Sequence, residues 1–254
     1  MIEKIVMKRI RIIGFLFLLV SAYSQDSKTE KVLFIGNSFT FYFNLPLVVE
    51  SMAEEKGVDL DVYQSTAGGA SLKHHWNGKK KLSTRSILKQ QSFSKVVLQD
   101  YSTNPVMKPD ESMGYFKKFI DLLNSQDIEI FLYGTWPVPS MNGKSFPGLD
   151  PIQEALKPLE SKNIRIVPVG TAFRLFQIEY PDIPLFTSDN KHPSPVGVYL
   201  AACVFLKALT GVSPDGLYRR FDRKDESGKK IFLGMVETSD AKKCQAIVSK
   251  MDIK

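Results

Sequence analysis

The chain has 254 residues, with 34 Lys and Arg against 27 Asp and Glu, 43% hydrophobic and 11% aromatic residues, two cysteines and three histidines. That composition belongs to a globular protein and excludes a disordered, collagen-like or disulfide-scaffolded chain. The first feature in chain order is a leader. Lys8, Arg9 and Arg11 precede the apolar run Ile12 to Val20, and Ala22-Tyr23-Ser24 offers the small residues a signal peptidase needs. We therefore expect residues 1–24 to be a signal peptide, with Met7 as an alternative start, and a mature chain beginning near Gln25 in the periplasm or outside the cell. Nine uncharged residues fall well short of the roughly 20 a transmembrane helix requires. No cysteine follows the run to carry a lipid, so the expectation is export without stable membrane insertion. Loss of the leader lowers the net charge from +7 to +4, because Lys4, Lys8, Arg9 and Arg11 leave together with Glu3. The remaining basic clusters are Lys79-Lys80-Lys81 and Arg219 to Lys230, the latter interrupted by Asp222, Asp225 and Glu226. These read as solvated surface, and nucleic acid is not an expected partner.

From residue 25 onward, short β-rich runs alternate with segments of helical length. The strand candidates are Lys31–Ile35, Leu60–Gln64, Lys95–Gln99, Glu129–Tyr133 and Ile164–Val169. The helix candidates are Leu45–Lys56, Ser83–Gln91, Asp110–Ser125, Pro151–Ser161, Thr171–Glu179, Ser194–Thr210 and a closing helix, Ser239–Met251, with Ser239 as its N-cap. Alternation of this kind predicts an α/β fold with a five-stranded parallel sheet. Continuously apolar strands such as Val32-Leu33-Phe34-Ile35 predict helices on both faces. No repeat, low-complexity tract or Pro/Gly/Ser linker divides residues 25–254, which are read as one doubly wound, three-layer domain.

Ligands of such sheets bind beyond the carboxyl ends of the strands. There the chain reads Gly36-Asn37-Ser38-Phe39-Thr40, Ala67-Gly68-Gly69-Ala70-Ser71, Gln99-Asp100-Tyr101-Ser102 and Gly134-Thr135-Trp136-Pro137, with a further loop Ser188-Asp189-Asn190-Lys191-His192-Pro193. Ser38 can serve as a nucleophile if a base reaches it. His192 is the best base, since Asp189 three residues earlier can hold its Nδ1–H and leave Nε2 facing the serine. An oxyanion needs donors, for which the Ser38 and Gly69 backbone N–H groups and a side-chain amide are candidates. Gln99 is the first choice for that amide and Asn104 the fallback.

These blocks resemble the SGNH (GDSL-type) hydrolase superfamily of esterases and lipases. The resemblance covers nearly the whole mature chain in the right order. The longer forms Gly36 to Thr40, Gly68 to Leu72 with His75-Trp76, and Leu98 to Ser102 are similar to a branch of uncharacterised secreted Bacteroidetes members. The resemblance implies a flavodoxin-like three-layer α/β/α sandwich, a serine nucleophile and no metal or other cofactor. One departure is plain: where the family offers Gly-x-Asn-Asp after the third strand, this chain has Gln99.

Other features are read more plainly. His74 and His75 lack a carboxylate or an HExxH pattern at ligand spacing, so no metal site is expected. GxGxxG and GxSxG are both missing, which argues against a dinucleotide site and an α/β-hydrolase elbow. Cys203 and Cys244 can pair in an oxidising compartment or lie in the core. Trp136, Tyr101 and Trp76 are candidate substrate-pocket aromatics. The expectation is a secreted or periplasmic serine esterase acting through Ser38, His192 and Asp189 on small-molecule or glycan esters, acetyl esters among them. Two alternatives stand beside it, a catalytically weak glycan-binding protein on the same fold and a lipase or lysophospholipase. The sequence leaves the oligomeric state open.

Overall fold

The computed structural model describes residues 29–138, 141 and 150–253; the expected signal peptide lies outside them. Five parallel strands form the central sheet: β1 (Glu30–Gly36), β2 (Leu60–Thr66), β3 (Lys95–Leu98), β4 (Glu129–Tyr133) and β5 (Ile164–Val167). Their order is β2-β1-β3-β4-β5, the flavodoxin-like order, in which the chain reverses direction across the sheet between β1 and β3. Val32 to Ile35, Val96 to Leu98 and Ile130 to Leu132 are fully buried, as strands covered on both faces must be.

Among the described residues, ten α-helices accompany the strands: α1 (Ser38–Phe41), α2 (Leu45–Glu55), α3 (Leu72–Trp76), α4 (Thr84–Gln90), α5 (Asn104–Met107), α6 (Pro109–Asn124), α7 (Pro151–Leu156), α8 (Val169–Glu179), α9 (Pro195–Thr210) and α10 (Thr238–Lys250). One group packs α2, α8 and α10 around α9; the other joins α3, α4, α5, α6 and α7. Helix α9 is apolar nearly all round and buried along most of its length, which suits a helix enclosed by neighbours as well as by the sheet. Ser194 caps it, its hydroxyl accepting from the Gly197 N–H at 3.1 Å. Among the described residues, no helix is long and apolar enough to cross a membrane.

The expected strand Ile164–Val169 stops at Val167, because Pro168 has no N–H for the ladder and stands at the N-cap of α8. Helix α10 starts at Thr238 rather than after a Ser239 cap, and Ser239 sits in its first turn with its hydroxyl donating to Asp240. Two very short helices, α1 and α5, lie inside the loops that carry the candidate chemistry. The charged stretch from Arg219 to Lys230 extends into an antiparallel hairpin, β6 (Arg220–Lys224) and β7 (Lys230–Met235), bulged at Phe221/Asp222. It is tied to the segment after α1 by the Asn44 side-chain amide, which donates to the Leu233 carbonyl at 3.2 Å.

Cys203 and Cys244 are both buried free thiols, so the core alternative holds over the disulfide. Burial pushes both thiols well above their ordinary range. We expect a thiol reagent such as DTNB to find no reactive cysteine in the native protein and two in denaturant without prior reduction. Titration of none in denaturant would contradict the free pair.

Candidate active site

The site grows out of the turn that follows β1. Asn37 leaves the strand in extended conformation and caps α1, its Oδ1 accepting from the Phe39 N–H at 3.0 Å. Its Nδ2 donates across to the Ala70 carbonyl at 2.9 Å, and its backbone N–H donates to Gln99 Oε1 at 2.9 Å. The Thr40 hydroxyl donates to the same Gln99 oxygen at 2.9 Å. Gly36 is compelled by this packing. A Cβ there would stand 2.2 Å from Thr40 Oγ1 and 2.5 Å from Gln99 Oε1, well inside van der Waals contact. The turn thus presents Ser38 half-buried at the carboxyl edge of the sheet, where the strand order switches.

Behind the turn lies a buried polar chain. His75 Nε2 is 2.9 Å from the Gly36 carbonyl, His75 Nδ1 is 2.8 Å from Thr84 Oγ1, and Thr84 Oγ1 is 2.8 Å from Ser65 Oγ. A carbonyl only accepts, so Nε2 carries the proton, and Nδ1 of the neutral ring accepts from Thr84. Burial pushes the imidazole down to about 4. Asp100, also buried, fastens the Gly-rich loop: its Oδ1 accepts from the N–H groups of Leu72 at 2.8 Å and Tyr101 at 2.7 Å, while its Oδ2 accepts from the Ser112 hydroxyl at 2.7 Å.

The loop from Thr187 to His192 brings the other two groups. An isolated bridge between Phe186 and Pro193 closes it, and Asn190 turns it in the left-handed region at φ +52°, which asparagine tolerates better than most residues. His192 Nε2 lies 2.8 Å from Ser38 Oγ, and His192 Nδ1 lies 2.5 Å from Asp189 Oδ2. Asp189 Oδ1 accepts from the Lys191 and His192 N–H groups, each at 2.9 Å, and from the Thr187 hydroxyl at 2.8 Å. The bond to His192, assisted by these donors, holds the Asp189 carboxyl well below its usual range. It is an acceptor at any neutral pH. The imidazole is stacked on Tyr42, with centroids 4.3 Å apart and planes 14° from parallel, and meets the Phe39 ring edge-on at 5.6 Å.

Among the described residues, the backbone N–H groups of Ser38 and Gly69 have no protein partner. Gly69 stands at φ +60°, where a Cβ is disfavoured. The Asn104 side-chain amide, at the start of α5, likewise bonds to no protein group. Gln99 differs from the expectation. Its oxygen takes the two bonds described above and its Nε2 donates to the Asp100 carbonyl, so it braces the Ser38 turn, and of the two amides only the fallback, Asn104, is unbonded.

The aromatic candidates separate as well. Trp136 is core: Phe39 stacks on the indole at 4.7 Å, Phe173 stacks at 4.4 Å, and Nε1 donates to the Lys191 carbonyl at 3.0 Å. It supports the His192 loop and has no face to offer a substrate. Trp76 packs against Phe119, with the Arg85 guanidinium 4.8 Å and the Lys118 ammonium 5.8 Å from its ring. Tyr101 lies beside the Gly-rich loop, 4.0 Å from where a Gly69 side chain would begin. No group of His, Cys, Asp and Glu among the described residues could hold a metal ion. Asn37, Thr40, Tyr42, His75 and Asp100 are the site residues that sequence reasoning did not assign a role; the run Gly36 to Thr40 and the His75-Trp76 pair were the visible traces of three of them.

The fold is that of the SGNH hydrolases. A Slackia heliotrinireducens protein classed with the SGNH hydrolases is 24% identical, with a TM-score of 0.59 over 71% of this chain and 99% of that one. A DUF4886 family protein from Bacteroides uniformis is 19% identical, with a TM-score of 0.63 over 87% of this chain and 93% of the other. The acetyl xylan esterase AlAXEase is 14% identical, with a TM-score of 0.55 over 70% and 99%. No protein-family model and no curated protein matches the chain.

His75 generates a pH prediction. Its pKa near 4 when folded, against 6.5 when exposed, means that the unfolded chain holds a proton the folded one lacks between those values. The contribution is complete above pH 6.5 and is lost as pH falls to 4, roughly 3 kcal/mol in all. Asp150 runs the other way: burial raises it from 3.8 to about 7, so its contribution is present at low pH and lost as pH rises through that window. The test is therefore a difference. Urea unfolding of wild type and His75→Gln should give a stability gap that shrinks by 2–3 kcal/mol, as an order of magnitude, between pH 7 and pH 4. A gap independent of pH would contradict a neutral buried His75.

Proposed function

We propose that this protein is an exported serine esterase that hydrolyses carboxylic esters through Ser38, His192 and Asp189. The observation that carries the reading is the continuous relay from Asp189 Oδ2 through the imidazole to Ser38 Oγ, with spans of 2.5 and 2.8 Å, set beside two unbonded backbone N–H groups. Export rests on the character of residues 1–24.

In this reading His192 Nε2 takes the Ser38 proton as the oxygen attacks the ester carbonyl. Asp189 keeps the Nδ1 proton in place and stabilises the imidazolium that forms. The N–H groups of Ser38 and Gly69, with the Asn104 amide, receive the charge that develops on the carbonyl oxygen. The alcohol leaves with the proton from His192, and water then repeats the sequence on the acyl-enzyme, releasing the acid and restoring the serine. A likeness to an acetyl xylan esterase supports a short acyl group on a carbohydrate alcohol. The glycan-binding alternative loses Trp136, which is enclosed between Phe39 and Phe173.

Hydrolysis of p-nitrophenyl acetate tests the reading. Ser38→Ala and His192→Ala should each lower kcat by about 10³-fold or more, and the double substitution should lose little beyond either single one, because the two act as a unit. A Ser38→Ala protein that keeps the wild-type rate would overturn it.

A further inference from the structure

Two cations flank the loop that carries Gly69. Lys80 and Lys81 both lie in the left-handed region, at φ +57° and +59°, a conformation disfavoured for residues with a Cβ and one that gathers at functional sites. After α3 the chain brings Lys80 to the Gly-rich loop, where its Nζ donates to the Gly68 carbonyl at 3.0 Å. From the other side comes Lys191, the neighbour of His192. Its ammonium lies 5.6 Å from the centre of the Tyr101 ring, and that ring is the group packed beside Gly69. Neither lysine forms an ion pair among the described residues. The carboxylates of the surrounding loops are committed elsewhere, Asp189 to His192, Asp100 to its three buried donors, and Glu111 to Lys73 at 2.5 Å.

We infer that Lys80 and Lys191 form an anion-recognising rim on the Gly69 side of Ser38, and that the ester turned over here carries an anionic group close to its scissile carbonyl. The inference rests on the serine esterase reading and names the substrate class for it. Each ammonium is a point charge with rotatable donors, so the rim selects by charge and takes a carboxylate or a sulfate alike. Two cations without ion-pair partners beside the Gly69 loop also raise the local concentration of such an ester, an effect that salt screens.

The test compares matched esters that differ in charge: mono-4-nitrophenyl succinate against 4-nitrophenyl butyrate, with the anion in the acyl part, and 4-acetoxybenzoate against its methyl ester, with the anion in the alcohol part. For each pair the readout is the anionic-to-neutral ratio of kcat/KM. In Lys80→Gln/Lys191→Gln that ratio should fall about tenfold in at least one pair, as it should in wild type when salt is raised from about 0.05 to 0.5 M. Lys80→Arg/Lys191→Arg should retain the preference, and Lys191→Glu should lower it further. The responding pair identifies which side of the ester bears the charge. Ratios that stay within about twofold of wild type in both pairs, with the neutral esters still turned over, would overturn the rim alone. Turnover of none of the four esters by wild type would overturn the hydrolase reading and the rim with it.

Discussion

One buried oxygen organises the site. Gln99 Oε1 accepts both the Asn37 N–H and the Thr40 hydroxyl, pinning the first and fourth residues of the turn that carries Ser38 to the end of the neighbouring strand. The other strand-end loops hang from the same place. Asn37 reaches the Gly-rich loop through Ala70, Asp100 holds that loop through Leu72, and His75 holds Gly36 from behind. Each of these groups is removed from water, so deleting a partner strands a buried donor or acceptor at a cost of roughly 1–3 kcal/mol. A half-satisfied version of this network would be worse than an apolar one. Among the described residues, the Ser38 and Gly69 N–H groups and the Asn104 amide stand outside this network, without protein partners.

The histidine is held by a different force. Its loop is closed by backbone bonds around Asp189, while the ring is stacked on Tyr42 and bounded by Phe39. Phe39 continues into Trp136 and Phe173 as a stack that ends in α8. The Trp136 Nε1–H then returns to the loop at the Lys191 carbonyl. Aromatic packing thus fixes the ring while the hydrogen bonds to Asp189 and Ser38 set its chemistry. Residues 154 positions apart in sequence come within 2.8 Å because the loops after β1 and before α9 both open at the carboxyl edge of the sheet.

The five strands were legible because each is a continuous apolar run between polar turns, and the meeting of Ser38, His192 and Asp189 was legible because each stands in a loop beyond the sheet with a partner at a suggestive spacing. The limits are equally physical. Gln99 and Trp136 were read from their position at a strand end, and position does not tell whether a side chain turns outward to a ligand or inward to a neighbour. Here Gln99 turns down to Asn37 and Thr40, and Trp136 lies between two phenylalanines. His75 looked like half of an idle pair because its partners, Gly36, Thr84 and Ser65, come from three separate segments. The hairpin β6–β7 was hidden by its charges: Arg220, Asp222, Arg223 and Lys230 suit an exposed two-stranded ribbon as well as they suit a loop.

The central claim is that His192 activates Ser38 as a nucleophile. Covalent labelling of the folded protein with a fluorophosphonate, followed by peptide mass mapping, tests it without knowledge of the natural ester, since such probes report the activated serine itself. The account predicts a single adduct on Ser38 in wild type and its loss in His192→Ala. An unlabelled wild-type protein, or an adduct that forms equally well without His192, would contradict it.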